Sequence, residues 1–284
     1  MKPIRYVIIV VNLLKPESET YLREMTRFLE SRNIDYEIHG YRGEPLHPEI
    51  RKDADLAISL GGDGTVLFCA RLLAHLDIPI MAVNLGDFGF ITEVGKNEWK
   101  ETFLKFQAGE VDCSRRLMLR VQVIRAGKTA ATFLGLNDAV ISSQGSSRLI
   151  QLRVNLRNTH LGVYRADGVI IATPTGSTAY SAAAGGPLLD PELEAVIINP
   201  ICPFTLSNRP LVICGDEEIC VTVDPGQKAP IILTMDGQNS FALEPEDRIQ
   251  ITRAPSKALI VRSDRRNFFE VIRQKLKWSG GPDA

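Results

Sequence analysis

The first hundred residues alternate between buried strands and amphipathic helices. The apolar run at residues 6–11 predicts a buried strand. Leu22, Met25 and Leu29 recur at the spacing of one helix face, which predicts an amphipathic helix over residues 17–31. Further strands are predicted at residues 36–39, 55–60 and 78–83, and a second helix at 66–76. This alternation is typical of an open parallel sheet with covering helices.

The pattern changes after a predicted helix at residues 99–106. Short apolar segments then follow one another, separated by turn residues, and they are residues 117–124, 132–141, 150–156, 169–172, 210–214, 219–223, 231–235 and 248–253. Such spacing is typical of antiparallel sheets. We therefore predict an α/β domain over residues 1–96, to which 261–284 return with a helix at 268–276, and a mainly antiparallel, β-rich domain over 97–260.

Composition and charge narrow the class of partner. The chain has 33 basic and 34 acidic residues and a net charge of −1, which favours a small ligand over nucleic acid or an anionic membrane. No apolar run approaches the roughly 18 residues of a membrane span. The five cysteines are scattered and odd in number, without zinc-ligand spacing. They indicate reduced thiols in a cytoplasmic protein.

The strongest candidate for chemistry is Gly61-Gly62-Asp63-Gly64-Thr65, between a predicted strand and a predicted helix. Glycines let the backbone approach a phosphate, and the helix N-terminus offers free N–H groups. The phosphates would repel the carboxylate of Asp63, so its presence there requires a function. A general base that faces a substrate hydroxyl is such a function. The alternative is a strand-to-helix turn in which Asp63 only caps the helix. The segment is neither a Walker loop nor a dinucleotide fingerprint.

A second candidate is the segment 173–187, which follows the strand predicted at 169–172 and is rich in Gly, Ser and Thr. Its hydroxyls and amides can line a polar ligand, and Tyr180 can stack on a ring. The alternative is a glycine-rich turn that leads into a helix.

Together these motifs resemble the bacterial NAD kinases. The glycine motif at 61–65 alone is similar to a superfamily that also includes diacylglycerol kinases and phosphofructokinases. The resemblance becomes specific with Leu136-Asn137-Asp138 and Thr173-Pro-Thr-Gly-Ser-Thr-Ala-Tyr-Ser181, and it extends over the whole chain. Supporting segments are residues 84–93, 205–210, 236–238 and 275–278. Phe204 departs from the family pattern, in which His is common, so any contact made by that His is in doubt here.

The resemblance implies a reaction and a set of site residues. Asp63 would accept the proton of the adenosine ribose 2′-hydroxyl of NAD while that oxygen attacks the γ-phosphorus of ATP. The residues implied to hold the substrates are Asp63, Gly64, Asn137, Asp138, Arg148, Arg165, Asp167, Thr178, Ala179, Tyr180, Ser181, Ala182, Ala183 and Gln238. Plainer interpretations stay open. Asn137-Asp138 also fits a simple turn, Arg165 also fits a solvated partner of Asp167, and Arg148 also fits a surface charge.

The resemblance also implies cofactors and assembly. Acidic residues do not cluster at the spacing of an all-protein metal cage, so we expect a divalent metal, Mg²⁺, to arrive with ATP. A homodimer or homotetramer is expected from the resemblance alone. Two rival functions stay open, a lipid or sugar kinase built on the same loop and a dinucleotide sensor that binds without consuming ATP.

Overall fold

The computed structural model describes residues 3–42, 49–86, 89–145, 149–205, 207–227 and 229–277. The chain divides into two compact units, which we call unit 1 (residues 1–115 and 258–284) and unit 2 (residues 116–257). The predicted division at residues 96 and 261 differs from this one. The helix at residues 99–108 belongs to unit 1, and the short strands at 113–116 and 258–261 join the sheet of that unit.

The elements are numbered in chain order. The strands are β1 Tyr6–Asn12, β2 Asp35–Tyr41, β3 Leu56–Gly61, β4 Ile80–Asn84, β5 Val94–Gly95, β6 Cys113–Arg116, β7 Leu119–Arg125, β8 Lys128–Gly135, β9 Asp138–Ser143, β10 Ile150–Leu156, β11 Thr159–Ala166, β12 Gly168–Ala172, β13 Ala195–Ile201, β14 Leu211–Cys214, β15 Ile219–Val223, β16 Ile231–Met235, β17 Asn239–Leu243, β18 Arg248–Arg253 and β19 Ala258–Val261. The helices are α1 Ser18–Glu30, α2 Asp63–Leu73, α3 Trp99–Ala108, α4 Tyr180–Ala183 and α5 Phe268–Leu276, with a 3-10 turn at Thr175–Thr178.

Unit 1 is built on sheet A, in the order β2-β1-β3-β4-β19-β6, with β5 paired to β4. The pairs β1/β2, β1/β3, β3/β4, β4/β5 and β4/β19 are parallel, as the alternation of strands and helices predicted. One face packs on the predicted stripe of α1, where Met25 and Leu29 are buried, and on Trp99 and Phe103 of α3. The apolar stripe is therefore the core face of α1.

The C-terminal helix belongs to unit 1. Its start is set by a capping box, in which the Asn267 side chain accepts from the Glu270 N–H (3.0 Å) and the Glu270 carboxylate accepts from the Asn267 N–H (3.0 Å). Just before it, Arg266 donates two hydrogen bonds to Glu98 (2.6 and 2.7 Å) beside α3. The ion pair holds the returning chain against the first part of unit 1.

Unit 2 consists of two antiparallel sheets. Sheet B has the order β11-β10-β15-β18-β7-β8, and sheet C the order β14-β13-β12-β9-β16-β17. Alternate side chains from both sheets form one shared core, with Val121 and Ile249 from sheet B and Ile141 and Ile171 from sheet C. This arrangement is a β-sandwich.

Sheet C is covered on its second face as well. Ile170 and Ile197 point away from the shared core and pack with Ala184 and Leu189, which follow β12 in the chain. The Gly-, Ser- and Thr-rich segment therefore crosses the outer face of sheet C. In the described part of the chain, no helix is long and apolar enough to cross a membrane.

Candidate functional site

Asp63 is the first residue of α2 and is separated from the end of β3 by Gly62 alone. Gly62 is the N-cap, in an extended conformation (φ −136°, ψ −170°), so the chain turns sharply from strand to helix. Gly61 is required by packing, because a Cβ there would lie 2.2 Å from Thr65 Oγ1. The carboxylate of Asp63 thus lies at the positive end of a helix dipole.

The Asp63 carboxylate is held by the loop that follows β4. Its Oδ2 accepts from the Phe90 N–H (2.8 Å), and its Oδ1 accepts from the Ile91 N–H (3.2 Å) and the Thr92 N–H (3.0 Å). The Thr92 hydroxyl donates to Oδ1 as well (3.0 Å). The side chain does not cap its own helix, so the plain capping interpretation does not describe it. It anchors a distant loop and stays half-buried.

Polar groups gather at the edge of sheet A where its parallel strands end. Asn12 ends β1, Gly61 ends β3 and Asn84 ends β4. The Asn84 Oδ1 accepts from the Gly86 N–H (2.7 Å). The Lys15 Nζ lies 3.8 Å from where a Cβ on Gly86 would stand. Because ligands of open α/β sheets bind at the carboxyl ends of the strands, this edge with Lys15 and the α2 N-terminus can hold a phosphate chain.

In unit 2, Asp236 organises the Asn137-Asp138 segment. The Asp236 carboxylate accepts from the N–H groups of Leu136 (3.0 Å), Asn137 (2.8 Å) and Asp138 (3.2 Å). Its own N–H donates to the Asp138 carbonyl (2.9 Å). Asp236 and Gly237 have positive φ angles of 51° and 65° and form the β16–β17 turn. Asn137 and Asp138 are therefore held at a fixed place, and Asp138 begins β9 instead of lying in a turn.

Asp138 is a buried carboxyl group beside a second carboxylate. Burial, with a smaller contribution from the negative charge of Asp236, raises the pKa of Asp138 to about 7. Near neutral pH, a fraction of Asp138 is consequently protonated and able to donate a hydrogen bond.

The segment after β12 packs directly against Asn137. The Thr173 N–H donates to the Asn137 carbonyl (2.8 Å), and a Cβ on Gly176 would lie 2.1 Å from the same oxygen. Where the two segments meet, Asn137 Oδ1 and Thr175 Oγ1 are buried without a hydrogen-bond partner among the described residues. Buried polar atoms are normally paired, so this meeting point is a candidate binding site for a polar ligand.

The predicted residues 178–183 divide into buried and accessible ones. Ser181 is fully buried, and its carbonyl accepts from the Asn199 side chain (2.9 Å), so it fixes α4 on sheet C. Tyr180 is 47% exposed and its ring is accessible. Thr178, Ala179 and Ala182 are half-buried, Ala183 is exposed, and Gln238 is half-buried beside the Asp236 turn.

Arg165 and Asp167 lie away from Asn137 within unit 2. Asp167 precedes Gly168, which pairs with Ser142, whereas Asp138 pairs with Ala172 at the other end of β12. The two ends are about 13 Å apart at about 3.3 Å per strand residue. The Arg165 guanidinium lies over the Phe204 ring, 5.1 Å from its centroid. Arg148 lies outside the described residues.

Several residues of the site had no predicted role. Lys15 was not singled out, and Asn84, Thr92, Thr175 and Asp236 appeared only within matching segments. Gly89 lies three residues before Thr92 in the sequence. A glycine at such a position can indicate that the backbone comes close to another group, and this was the signal from which the contact could have been predicted. Among the described residues, no three His, Cys, Asp or Glu side chains are grouped so as to hold a metal ion.

Two family models match the chain. The model of the ATP-NAD kinase C-terminal domain matches residues 136–263, and that of the ATP-NAD kinase N-terminal domain matches residues 41–111. Both ranges include the segments described above, the first covering the Asn137 and Asp236 region and the second Asp63 and its loop.

Similar proteins and structures agree with the family models. An NAD kinase of Treponema denticola is 42% identical over 274 residues, covering 96% of this chain and 96% of that protein. An NAD kinase of Citrifermentans bemidjiense is 37% identical over 282 residues, covering 96% and 98%.

Two solved structures share the fold. They are yeast NADH kinase complexed with NADH (TM-score 0.86, 23% identity, 99% of this chain and 90% of that one) and an NAD kinase from Archaeoglobus fulgidus in complex with ATP (TM-score 0.77, 23% identity, 98% and 100%). Since a relative at 42% identity spans nearly all of the chain and the two family models match well over half of it, the chain belongs to the NAD kinase family.

Proposed function

We propose that this protein phosphorylates the 2′-hydroxyl of the adenosine ribose of NAD, with ATP as donor, and that Asp63 is the general base. The 2′-oxygen forms a bond to the γ-phosphorus and its proton passes to Asp63. The bond from the γ-phosphorus to the β–γ bridging oxygen breaks, and ADP leaves. The products are NADP and ADP.

The observation that carries the proposal is the geometry of the Asp63 carboxylate. It lies at the N-terminus of α2, at the sheet edge suited to phosphates, and donors from residues 90–92 fix its orientation. A base works best when its orientation is set before the substrate binds. Gly64, the next residue, is exposed.

ATP would bring the divalent metal, Mg²⁺, on its phosphates. The metal would neutralise charge on the phosphate oxygens. Lys15 and the amides at the start of α2 would bind the phosphate chain from the protein side.

The dinucleotide would occupy the region around Asn137. Asn137 Oδ1 and Thr175 Oγ1 are buried and unpaired among the described residues, and Tyr180 offers an accessible ring for stacking. The residues 178–183 and Gln238 border the same segments. Arg165 and Asp167, at the other end of β12, would contact the distal part of an extended dinucleotide.

We also propose a cytoplasmic homodimer or homotetramer. All five cysteines are free, which suits a reducing compartment. Leu211 and Val212 expose apolar side chains on β14, the edge strand of sheet C, and such an edge favours pairing with another chain. Light scattering during size-exclusion chromatography measures the assembly.

The experiment incubates the protein with NAD, ATP and Mg²⁺ and follows NADP with an NADP-specific dehydrogenase. Asp63→Asn should lose about 10²- to 10⁴-fold in turnover, the usual contribution of a general base. Asp112→Asn, at a side chain that is 81% exposed and paired only with Arg262 in the described contacts, is the matched control and should retain full activity.

Calorimetry with NAD separates the rival explanations. Because Asp63 also anchors residues 90–92, Asp63→Asn must be shown to bind NAD with wild-type affinity and to unfold at a similar temperature. An Asp63→Asn protein that binds NAD but has lost turnover supports Asp63 as the general base. A wild-type protein that binds NAD but makes no NADP supports the function of a dinucleotide sensor. A wild-type protein that does not bind NAD supports a lipid or sugar kinase instead.

A further inference from the structure

The Thr92 hydroxyl lies between Asp63 and Asn84, fully buried at 0% exposure. Its oxygen accepts from the Asn84 Nδ2 (2.9 Å) and from the Gly89 N–H (2.9 Å), and it donates to Asp63 Oδ1 (3.0 Å). A hydroxyl has one donor and two acceptor positions, and all three are used here. The group is therefore completely satisfied.

The direction of the Thr92 proton follows from its partners. The Gly89 N–H can only donate. The Asn84 amide is oriented by its other end, because its Oδ1 accepts from the Gly86 N–H (2.7 Å), which leaves Nδ2 facing Thr92. With two donors pointing at its oxygen, the Thr92 hydroxyl has one acceptor to which it can give its proton, Asp63 Oδ1.

The two oxygens of Asp63 differ as a result. Oδ1 accepts three hydrogen bonds, from the Ile91 N–H, the Thr92 N–H and the Thr92 hydroxyl. Oδ2 accepts one, from the Phe90 N–H, among the contacts of the described residues. A carboxylate oxygen has about two acceptor positions, so Oδ1 is saturated and Oδ2 keeps a position for a further donor.

We propose that Thr92 is a positioning residue for phosphoryl transfer, and that Asp63 Oδ2 is the oxygen that takes the 2′-hydroxyl proton. This inference rests on the proposed function. Thr92 restrains the rotation of the carboxylate and occupies Oδ1, so the substrate hydroxyl finds its acceptor at Oδ2. Asn84 acts one step further out, by directing the Thr92 proton towards Asp63.

Thr92→Val tests the role, since valine keeps the shape and removes the hydroxyl. Losing a hydrogen bond to a charged group corresponds to about a 10- to 100-fold fall in kcat. We expect that fall with the KM values for NAD and ATP within about threefold of wild type. Thr92→Ser restores the hydroxyl and should recover kcat to within about threefold. A residue with only a structural role would lower the melting temperature and leave kcat unchanged in the folded enzyme.

Asn84→Asp is the second variant. It tests the positioning role of Thr92 even if Thr92→Val does not fold. The new carboxylate keeps its contact with the Gly86 N–H and presents an acceptor to Thr92, which then has a competing partner for its proton. We expect kcat to fall, with the KM for NAD within about threefold of wild type. Wild-type kcat in Asn84→Asp and in folded Thr92→Val would overturn this inference alone. Failure of the wild-type enzyme to make NADP would instead overturn the proposed function.

Discussion

Gly89 lies directly against the carboxylate of Asp63. A Cβ on Gly89 would stand 1.7 Å from Asp63 Oδ1 and 2.2 Å from its Cγ. The close approach is what brings the N–H groups of residues 90–92 within hydrogen-bond distance of the carboxylate. The orientation of Asp63 therefore depends on the missing side chain of a residue 26 positions later in the chain.

Gly89→Ala should displace Asp63 or its loop and remove most of the activity. The crowded atoms all belong to the Asp63 side chain, and a rotation that moved them away would break the hydrogen bonds of the carboxylate to residues 90–92. We expect a loss of stability of about 2 to 4 kcal/mol, in the range of overpacking with broken buried hydrogen bonds. Urea unfolding and the NADP assay measure the two effects.

Gly86→Ala is the control for stability, because its Cβ would meet the nearest atoms at 3.8 and 3.9 Å, an ordinary contact distance. Its free energy of unfolding should stay within about 0.5 kcal/mol of wild type. Equal stability of Gly89→Ala and Gly86→Ala would contradict the described packing of the loop.

Thr175→Val should stabilise the free protein and weaken NAD binding. The Thr175 hydroxyl is buried with no hydrogen-bond partner among the described residues, and valine has nearly the same shape. Removing an unpaired buried hydroxyl should raise the free energy of unfolding by about 1 kcal/mol. If bound NAD pairs with the hydroxyl, its dissociation constant should rise about 5- to 10-fold.

Calorimetric titration with NAD and thermal unfolding test both parts. Thr173→Val is the contrasting variant, because the Thr173 hydroxyl donates to the Leu136 carbonyl (2.5 Å) and accepts from the Gly176 N–H (3.0 Å). That variant should destabilise the protein. A Thr175→Val protein with weaker folding and unchanged NAD affinity would remove Thr175 from the binding site.

Asp138 should make stability fall as the pH rises from about 4 to about 7. Its pKa in the folded protein is raised to about 7, above its ordinary value, so the folded state holds a proton that the unfolded state has released in this range. Folding is thus favoured less at each step towards neutral pH. Asp138→Asn stays neutral and should have a flatter profile of unfolding free energy.

Urea unfolding at about pH 5 and about pH 8 compares the two proteins. Asp216→Asn, at a carboxylate that is 66% exposed, is the control and should keep the wild-type profile. Identical profiles for wild type and Asp138→Asn would show that Asp138 is ionised throughout.

Arg266→Ala should loosen the C-terminal segment from unit 1. Arg266 makes two short hydrogen bonds to Glu98 and a third to the Glu93 carbonyl (3.2 Å), in a partly buried place. We expect a loss of about 1 to 3 kcal/mol, against less than about 0.5 kcal/mol for Arg23→Ala, whose pair with Glu19 is exposed. Chemical unfolding and proteolysis of the C-terminus measure the change.

The same pair predicts a response to acid. The hydrogen bond from Arg266 is the main cause that lowers the pKa of Glu98. The contribution of this ion pair to the free energy of unfolding is present at pH values above the ordinary pKa of a glutamate. It is lost as the pH falls through the lowered pKa of Glu98. Wild type should therefore lose more stability on acidification than Arg266→Ala. A parallel decline in both proteins would contradict the assignment.

The sequence was sufficient to predict the helices and strands whose apolar residues follow a clear pattern. The stripe of Met25 and Leu29 on α1 and the apolar runs of β1 and β3 reflect burial patterns that repeat every 3.6 residues or continue unbroken. The domain division was harder to predict, because β6 and β19 have four residues each and owe their place to pairing in sheet A. Four residues carry too little periodicity to reveal the sheet that they join.

The sequence by itself determined that Asp63 stands between glycines at a strand-to-helix junction, because that motif is local. Only the tertiary structure decided which atoms hold it, since Thr92 reaches it from a loop 29 residues away. Likewise, the partner that holds Asn137 and Asp138 is Asp236, about 100 residues later. Hydrogen bonds between distant segments depend on how the strands are ordered in the sheets. That order minimises exposed apolar surface across a whole unit, and no local pattern contains it.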